Sequence, residues 1–158
     1  MKRINYPLLL IFIIYGCCTI NSATTAKRTA ISPLPGYSVK NPSSLTDAVT
    51  YFAVRKRADF ENTFSAAQIM GGSVQYPDFF EEIVVGVAVK PSNKEMYLNF
   101  EKAELVGNNL NVFYTYDYSW KELSISSSPT IVATVPKGDG IKTVSFYSQS
   151  TLRKVITL

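Results

Sequence analysis

The chain has 158 residues, with 16 Lys and Arg against 12 Asp and Glu, no His and two Cys. That length suits one domain with a core of its own and is too short for two. The lack of His removes the usual general base, the triad base and the commonest zinc ligand, and a formal net charge of +4 falls short of the concentrated positive field that nucleic-acid binding needs.

Lys2 and Arg3 precede an apolar run over 8–14, which ends at Tyr15-Gly16-Cys17-Cys18. A basic start, a short apolar region and a small residue before the break mark a secretory signal, too short to span a bilayer stably. Ile14-Tyr15-Gly16-Cys17 also resembles the bacterial lipobox, although Tyr15 stands where a small residue is usual. The expectation is a lipoprotein signal peptide over 1–17 with Cys17 as the lipidated N-terminus; the alternatives are a cleaved secretory signal or an uncleaved anchor. Cys18 stands where an acidic inner-membrane retention signal would place Asp, so the outer membrane is the expected destination.

Loss of the signal would remove Lys2 and Arg3, leaving 14 basic against 12 acidic residues, or +2. Both cysteines lie at the signal junction, so the folded part has no disulfide framework and no thiolate for catalysis or metal. Residues 18–46 are rich in Ser, Thr, Asn, Ala and Pro without a sustained apolar period, and read as a flexible tether to a single β-rich domain over 47–158.

In that domain Val49, Tyr51 and Ala53 alternate with Thr50, Phe52 and Val54, as in a strand. Arg55-Lys56-Arg57 is a short basic cluster, either a solvated patch or a partner contact. Phe60, Phe64 and Ala67 recur at helical spacing, and Asp59 and Glu61 favour a first turn, so a helix is expected over 58–70, ended by Gly71-Gly72. After a turn at Tyr76-Pro77-Asp78, the run 83–89 is apolar on both faces and reads as a central strand covered on each side. Gly86 and Ala88 leave room on one face, where Phe60 and Phe64 of the helix can lie.

Alternation from Met96 continues towards Val106, Gly107-Asn108-Asn109 suit a hairpin turn, and 110–120 form the return strand. Residues 129–135, 141–147 and 152–158 read as three further strands. The fold class is therefore α+β: about six to seven mostly antiparallel strands in a sandwich or open barrel, with one helix packed on it.

Catalytic signals are sparse. Ser126-Ser127-Ser128 has no His partner, Asp139 sits in a hairpin tip between two glycines, and a lone carboxylate does not satisfy a hard cation. Asp59 with Glu61 suits a helix start and Glu81-Glu82 a strand entry, although paired carboxylates also serve glycosidases. No cofactor and no metal site are expected.

The clearest binding signal is the strand 112–120. Its even positions put Val112, Tyr114, Tyr116, Tyr118 and Trp120 on one face, the last four forming a row on which a sugar chain or extended peptide could stack. The alternative is that these rings form the inner face of the sheet.

Several phrases occur in a telling order: Val54-Arg55-Lys56-Arg57-Ala58-Asp59-Phe60-Glu61, Pro77-Asp78-Phe79 ahead of the apolar strand, the hairpin at Gly107-Asn108-Asn109, and the segment from Ser128-Pro129 to Val135-Pro136. Over about 95 residues this order resembles the PrcB-type family of extracytoplasmic proteins, named for a subunit that stabilises a secreted protease complex. The chain departs from the family at 92–97, keeping the aromatic Tyr97 but not the usual glycine pair. The resemblance implies a non-enzymatic β-rich module that binds or stabilises a protease or another envelope protein. Glycan binding by Tyr114, Tyr116, Tyr118 and Trp120 is the alternative function.

Overall fold

The computed structural model describes residues 25–66, 74–138 and 140–158. The expected signal segment, Cys17, Gly71-Gly72 and Asp139 lie outside them. In chain order the strands are β1 (Lys27–Thr29), β2 (Ser32–Pro33), β3 (Tyr37–Val39) and β4 (Val49–Val54), followed by helix α1 (Arg57–Thr63). Then come β5 (Phe64–Ala66), β6 (Glu82–Val89), β7 (Ser92–Val106), β8 (Asn109–Ser127), β9 (Thr130–Pro136), β10 (Thr143–Ser148) and β11 (Thr151–Thr157). A five-stranded sheet has the order β1-β7-β8-β10-β11, a four-stranded sheet the order β2-β9-β6-β4, and β3 pairs with β5. The fold is the expected α+β, strand-rich sandwich. It is mostly antiparallel; β8 and β10 pair in parallel.

One long hairpin organises both sheets. Its pairing runs from Glu82↔Pro136 to Ala88↔Thr130 in the four-stranded sheet, resumes at Ser92↔Ser127, and ends at Val106↔Asn109 in the five-stranded one. Gly107, at φ +58°, supplies the left-handed residue that closes the turn. The ribbon therefore leaves one sheet and enters the other at a corner near Val89 and Pro129, a common way to join two packed sheets. Beside the corner the two strands are unequal: four steps along β7, from Ser92 to Met96, face nine along β8, from Tyr118 to Ser127. Such bulging bends and twists a ribbon.

Between the sheets lie Ile83, Val85 and Val87 of β6, Ala133 and Val135 of β9, Leu110, Val112 and Tyr114 of β8, and Val144 and Phe146 of β10. The alternate residues Val84 and Ala88 of β6 face a second core with Val132, Phe60 and Phe64. Strand β6 is thus covered on both faces, as its unbroken apolar run predicts. At Gly86 a Cβ would stand 3.0 Å from the ring of Phe64, so the missing side chain makes the room that this ring fills.

The second core corrects the tether expected over 18–46. Leu34, Tyr37, Val39 and Leu45 are buried in it, and the Leu34 amide donates to the Val132 carbonyl at 2.8 Å. Residues 27–45 are therefore part of the domain. Burying four apolar side chains offsets the entropy of ordering a Ser- and Pro-rich segment, which composition alone does not reveal. On its way from β1 to β2 the chain passes from the five-stranded to the four-stranded sheet, and Ile31 packs on the inner core between them. One side of the sandwich is closed by this strap; the other ends in the edge strands β4 and β11.

The helix is shorter than expected over its described part. It stops at Thr63, and Phe64 is extended at φ −114°, ψ 149° because residues 64–66 pair with β3. Phe60 and Phe64 still share a core, with ring centroids 5.2 Å apart. Residues 67–70 lie outside the described region.

Candidate functional site

Of the carboxylates singled out in the sequence, Glu61 and Glu82 accept hydrogen bonds from neighbouring residues. Asp59 lies in the first turn of α1. Glu61 accepts from Arg57 Nε and from the Tyr76 hydroxyl, both at 2.8 Å, and these donors, Arg57 foremost, hold its carboxyl below the ordinary range. Glu82 accepts from the Asp78 amide, Asp78 from the Phe80 amide, and Asp117 from the Tyr118 amide. Glu122 lies opposite Lys94 in the backbone register of the ribbon. In the serine run, Ser128 donates to the Val89 carbonyl and fastens the corner. Among the described residues no group of three or more Cys, Asp or Glu is placed to hold a metal ion.

The aromatic row of β8 does share one face, but that face passes from core to solvent along its length. Val112 is fully buried and Tyr114 is 2 % exposed, its hydroxyl 2.7 Å from that of Tyr51. Tyr116 is half-buried and donates to the Met96 sulfur. Tyr118 is 47 % and Trp120 86 % exposed. The row therefore does not form a four-ring platform, since Tyr114 is a core residue that packs against Tyr51 of β4.

The exposed end of the row lies on the bulged part of the ribbon. Tyr118 and Trp120 have centroids 6.0 Å apart with planes at 74°, and Lys94 Nζ sits 5.7 Å over the Tyr118 ring. Met96 faces Tyr118 across the ribbon, and Ile125 stands exposed further along β8. Polar contacts brace the same stretch: Ser119 donates to Glu95, and Lys121 lies 3.9 Å from it. A Trp–Tyr pair standing in water on a braced ribbon, with half-buried Met96 behind it and exposed Ile125 further along the strand, matches the composition of binding hot spots rather than of a solvated loop.

A second aromatic feature was not visible in the sequence. The turn before β6 carries Phe80, 88 % exposed, beside an open depression of about 580 Å³ lined by Arg57, Tyr76, Pro77, Asp78 and Phe79. Arg57 lies over the Tyr76 ring at 4.9 Å, which gives one member of the basic cluster 55–57 a defined place. The phrase Tyr76-Pro77-Asp78 signalled a turn, but nothing local told that Phe79 would face Phe60 while Phe80 faced water.

No family model, curated protein or solved structure matches the chain.

Proposed function

We propose that the chain is an envelope lipoprotein, anchored by lipid at Cys17, whose β-rich domain works without catalysis by binding a protein partner through the aromatic corner of the β7–β8 ribbon. The observation that carries this reading is Trp120, 86 % exposed beside Tyr118 on a ribbon braced by Glu95. Large apolar side chains held in water on an ordered element are retained at a cost in solubility, and a protein contact is the common reason. The likeness to the PrcB-type family supports a protease complex as the partner. A glycan is the weaker reading, because Tyr118 and Trp120 stand at 74° and offer a sugar chain no common plane.

The full chain, extracted in detergent, is used to capture partners from the envelope of the source cells alongside Trp120→Ala. A protein retained by the parent and lost from the variant supports the proposal. A change in Trp120 fluorescence with oligosaccharide, with no such protein retained, favours the glycan. Metabolic labelling with a radioactive fatty acid tests the anchor: label must enter the parent chain and be absent from Cys17→Ser.

A further inference from the structure

The two lateral sides of the sandwich differ. Where β1 and β2 lie, the strap through Ile31 closes the gap between the sheets. On the opposite side β4 and β11 are, among the described residues, both last in their sheets; they touch along part of their length, and an open groove of about 350 Å³ lies beside that contact, lined by residues 47–51 together with Arg153 and Lys154.

Among the described residues strand β4 is an unguarded edge. Its six residues, Val-Thr-Tyr-Phe-Ala-Val, carry no charge and no proline, and its register against β6 is unbroken from Val49↔Val89 to Val54↔Val84. The Lys90 amide bonds the Ala48 carbonyl, so in the alternating antiparallel ladder Thr50, Phe52 and Val54 are the residues bonded to β6. The main-chain groups of Val49, Tyr51 and Ala53 are left directed at the open side. Natural sheets usually blunt such an edge with a charge, a bulge or a proline on the strand itself.

Charge is instead placed across the groove. Lys154 pairs in register with the buried Phe146, so it points inward from β11, and Arg153 is the extra residue where the β10–β11 register shifts. Against these two cations the groove holds one carboxylate, Asp47.

We propose that this open side receives an extended acidic segment of a partner protein, added as a fifth strand to the free edge of β4. Main-chain bonds to Val49, Tyr51 and Ala53 would hold it, in the manner of β-strand addition. Alternate side chains of the added strand project on the same side as Val49, Tyr51 and Ala53, towards Arg153 and Lys154, and carboxylates at those positions meet both cations. A second copy of this chain is the poorer occupant, because pairing two β4 edges brings two Arg153 and two Lys154 to one seam. This surface is separate from the corner at Trp120.

The test is fluorescence anisotropy of a labelled seven-residue peptide of alternating Val and Glu against the full chain, with its Val and Lys counterpart as the comparison. The acidic peptide is expected to bind at least tenfold more tightly and to slow amide exchange at Val49, Tyr51 and Ala53. The exposed pair Arg153→Glu with Lys154→Glu, shown by circular dichroism to be folded, should reverse the preference between the peptides. Trp120→Ala should leave it unchanged, which separates this surface from the corner. Failure of the acidic peptide to bind, an unchanged preference after charge reversal, slowed exchange elsewhere than β4, or dimerisation through β4 without peptide would each overturn the proposal.

Discussion

Leu34→Ala tests whether the segment before β4 belongs to the domain. Leu34 is 3 % exposed and sits in the second core with Val132, Phe60 and Phe64. The substitution removes about three methylene equivalents, worth about 2.4 kcal/mol at ~0.8 kcal/mol each, before any cavity is counted. The cavity adds to this, but Leu34 lies on a surface segment that can settle inwards, so the total should fall near the lower part of the usual range, about 3 kcal/mol. The backbone bond to Val132 is untouched by the change, which keeps the perturbation to packing.

Urea unfolding followed by circular dichroism reads this directly. With an m-value of about 2 kcal/mol/M, a loss of about 3 kcal/mol lowers the midpoint by about 1.5 M at unchanged slope. Lys40→Ala, at an exposed position of the same segment, should move it by less than about 0.25 M, equivalent to about 0.5 kcal/mol. A Leu34→Ala midpoint indistinguishable from that of Lys40→Ala would show that the segment does not pack, and would refute the second core as described.

Gly86→Ala should lower stability by about 1 kcal/mol in the same assay: the new methyl meets the Phe64 ring at 3.0 Å, an overpacking that exceeds the backbone-entropy gain of replacing glycine. Trp120→Ala should change the urea midpoint by less than about 0.25 M, because a side chain 86 % exposed contributes little to folding; a larger drop would mean that Trp120 serves the fold and not a partner. Tyr51 has its pKa raised, first by burial and then by the hydrogen bond to Tyr114. The unfolded chain therefore loses this proton near pH 10 while the folded chain keeps it, so its stabilising contribution is present below that pH and is lost as pH rises above it. Stability should fall by up to about 1.4 kcal/mol per pH unit between about pH 10 and 12 on account of this one group, and Tyr51→Phe should show a shallower decline over that window; equal slopes would refute the assignment.

How far the sequence could be read depended on whether a residue's environment follows from its neighbours in the chain. Strand β6 was legible because burial on both faces requires an unbroken apolar run, and 83–89 is one. The helix boundary was misread because Phe60 and Phe64 meet whether the chain continues as helix or turns extended after Thr63; pairing with β3, which is distant in sequence, decides it. The segment 27–45 was opaque because it crosses layers instead of lying along one, so Leu34, Tyr37, Val39 and Leu45 follow no period. The parallel pairing of β8 with β10 had no local signal.

The aromatic row of β8 shows the same division within a single strand. Alternation correctly puts Tyr114, Tyr116, Tyr118 and Trp120 on one face, since that is a property of the backbone. Where the face stops being core is set by other strands. At about 3.3 Å per residue, the 19 residues of β8 make a strand far longer than the seven-residue β9 of the facing sheet, and Tyr118, Trp120 and Ile125 towards its end are exposed. The register shifts between Ser92 and Met96 fall on this same stretch, where bulging bends and twists the ribbon. A chain that needed these rings only for packing would have ended the strand near Tyr116; extending it exposes Trp120 and Ile125 and stiffens the ribbon through Glu95, Ser119 and Lys121. That surplus of ordered, uncovered apolar surface is the physical ground for placing a partner at the corner.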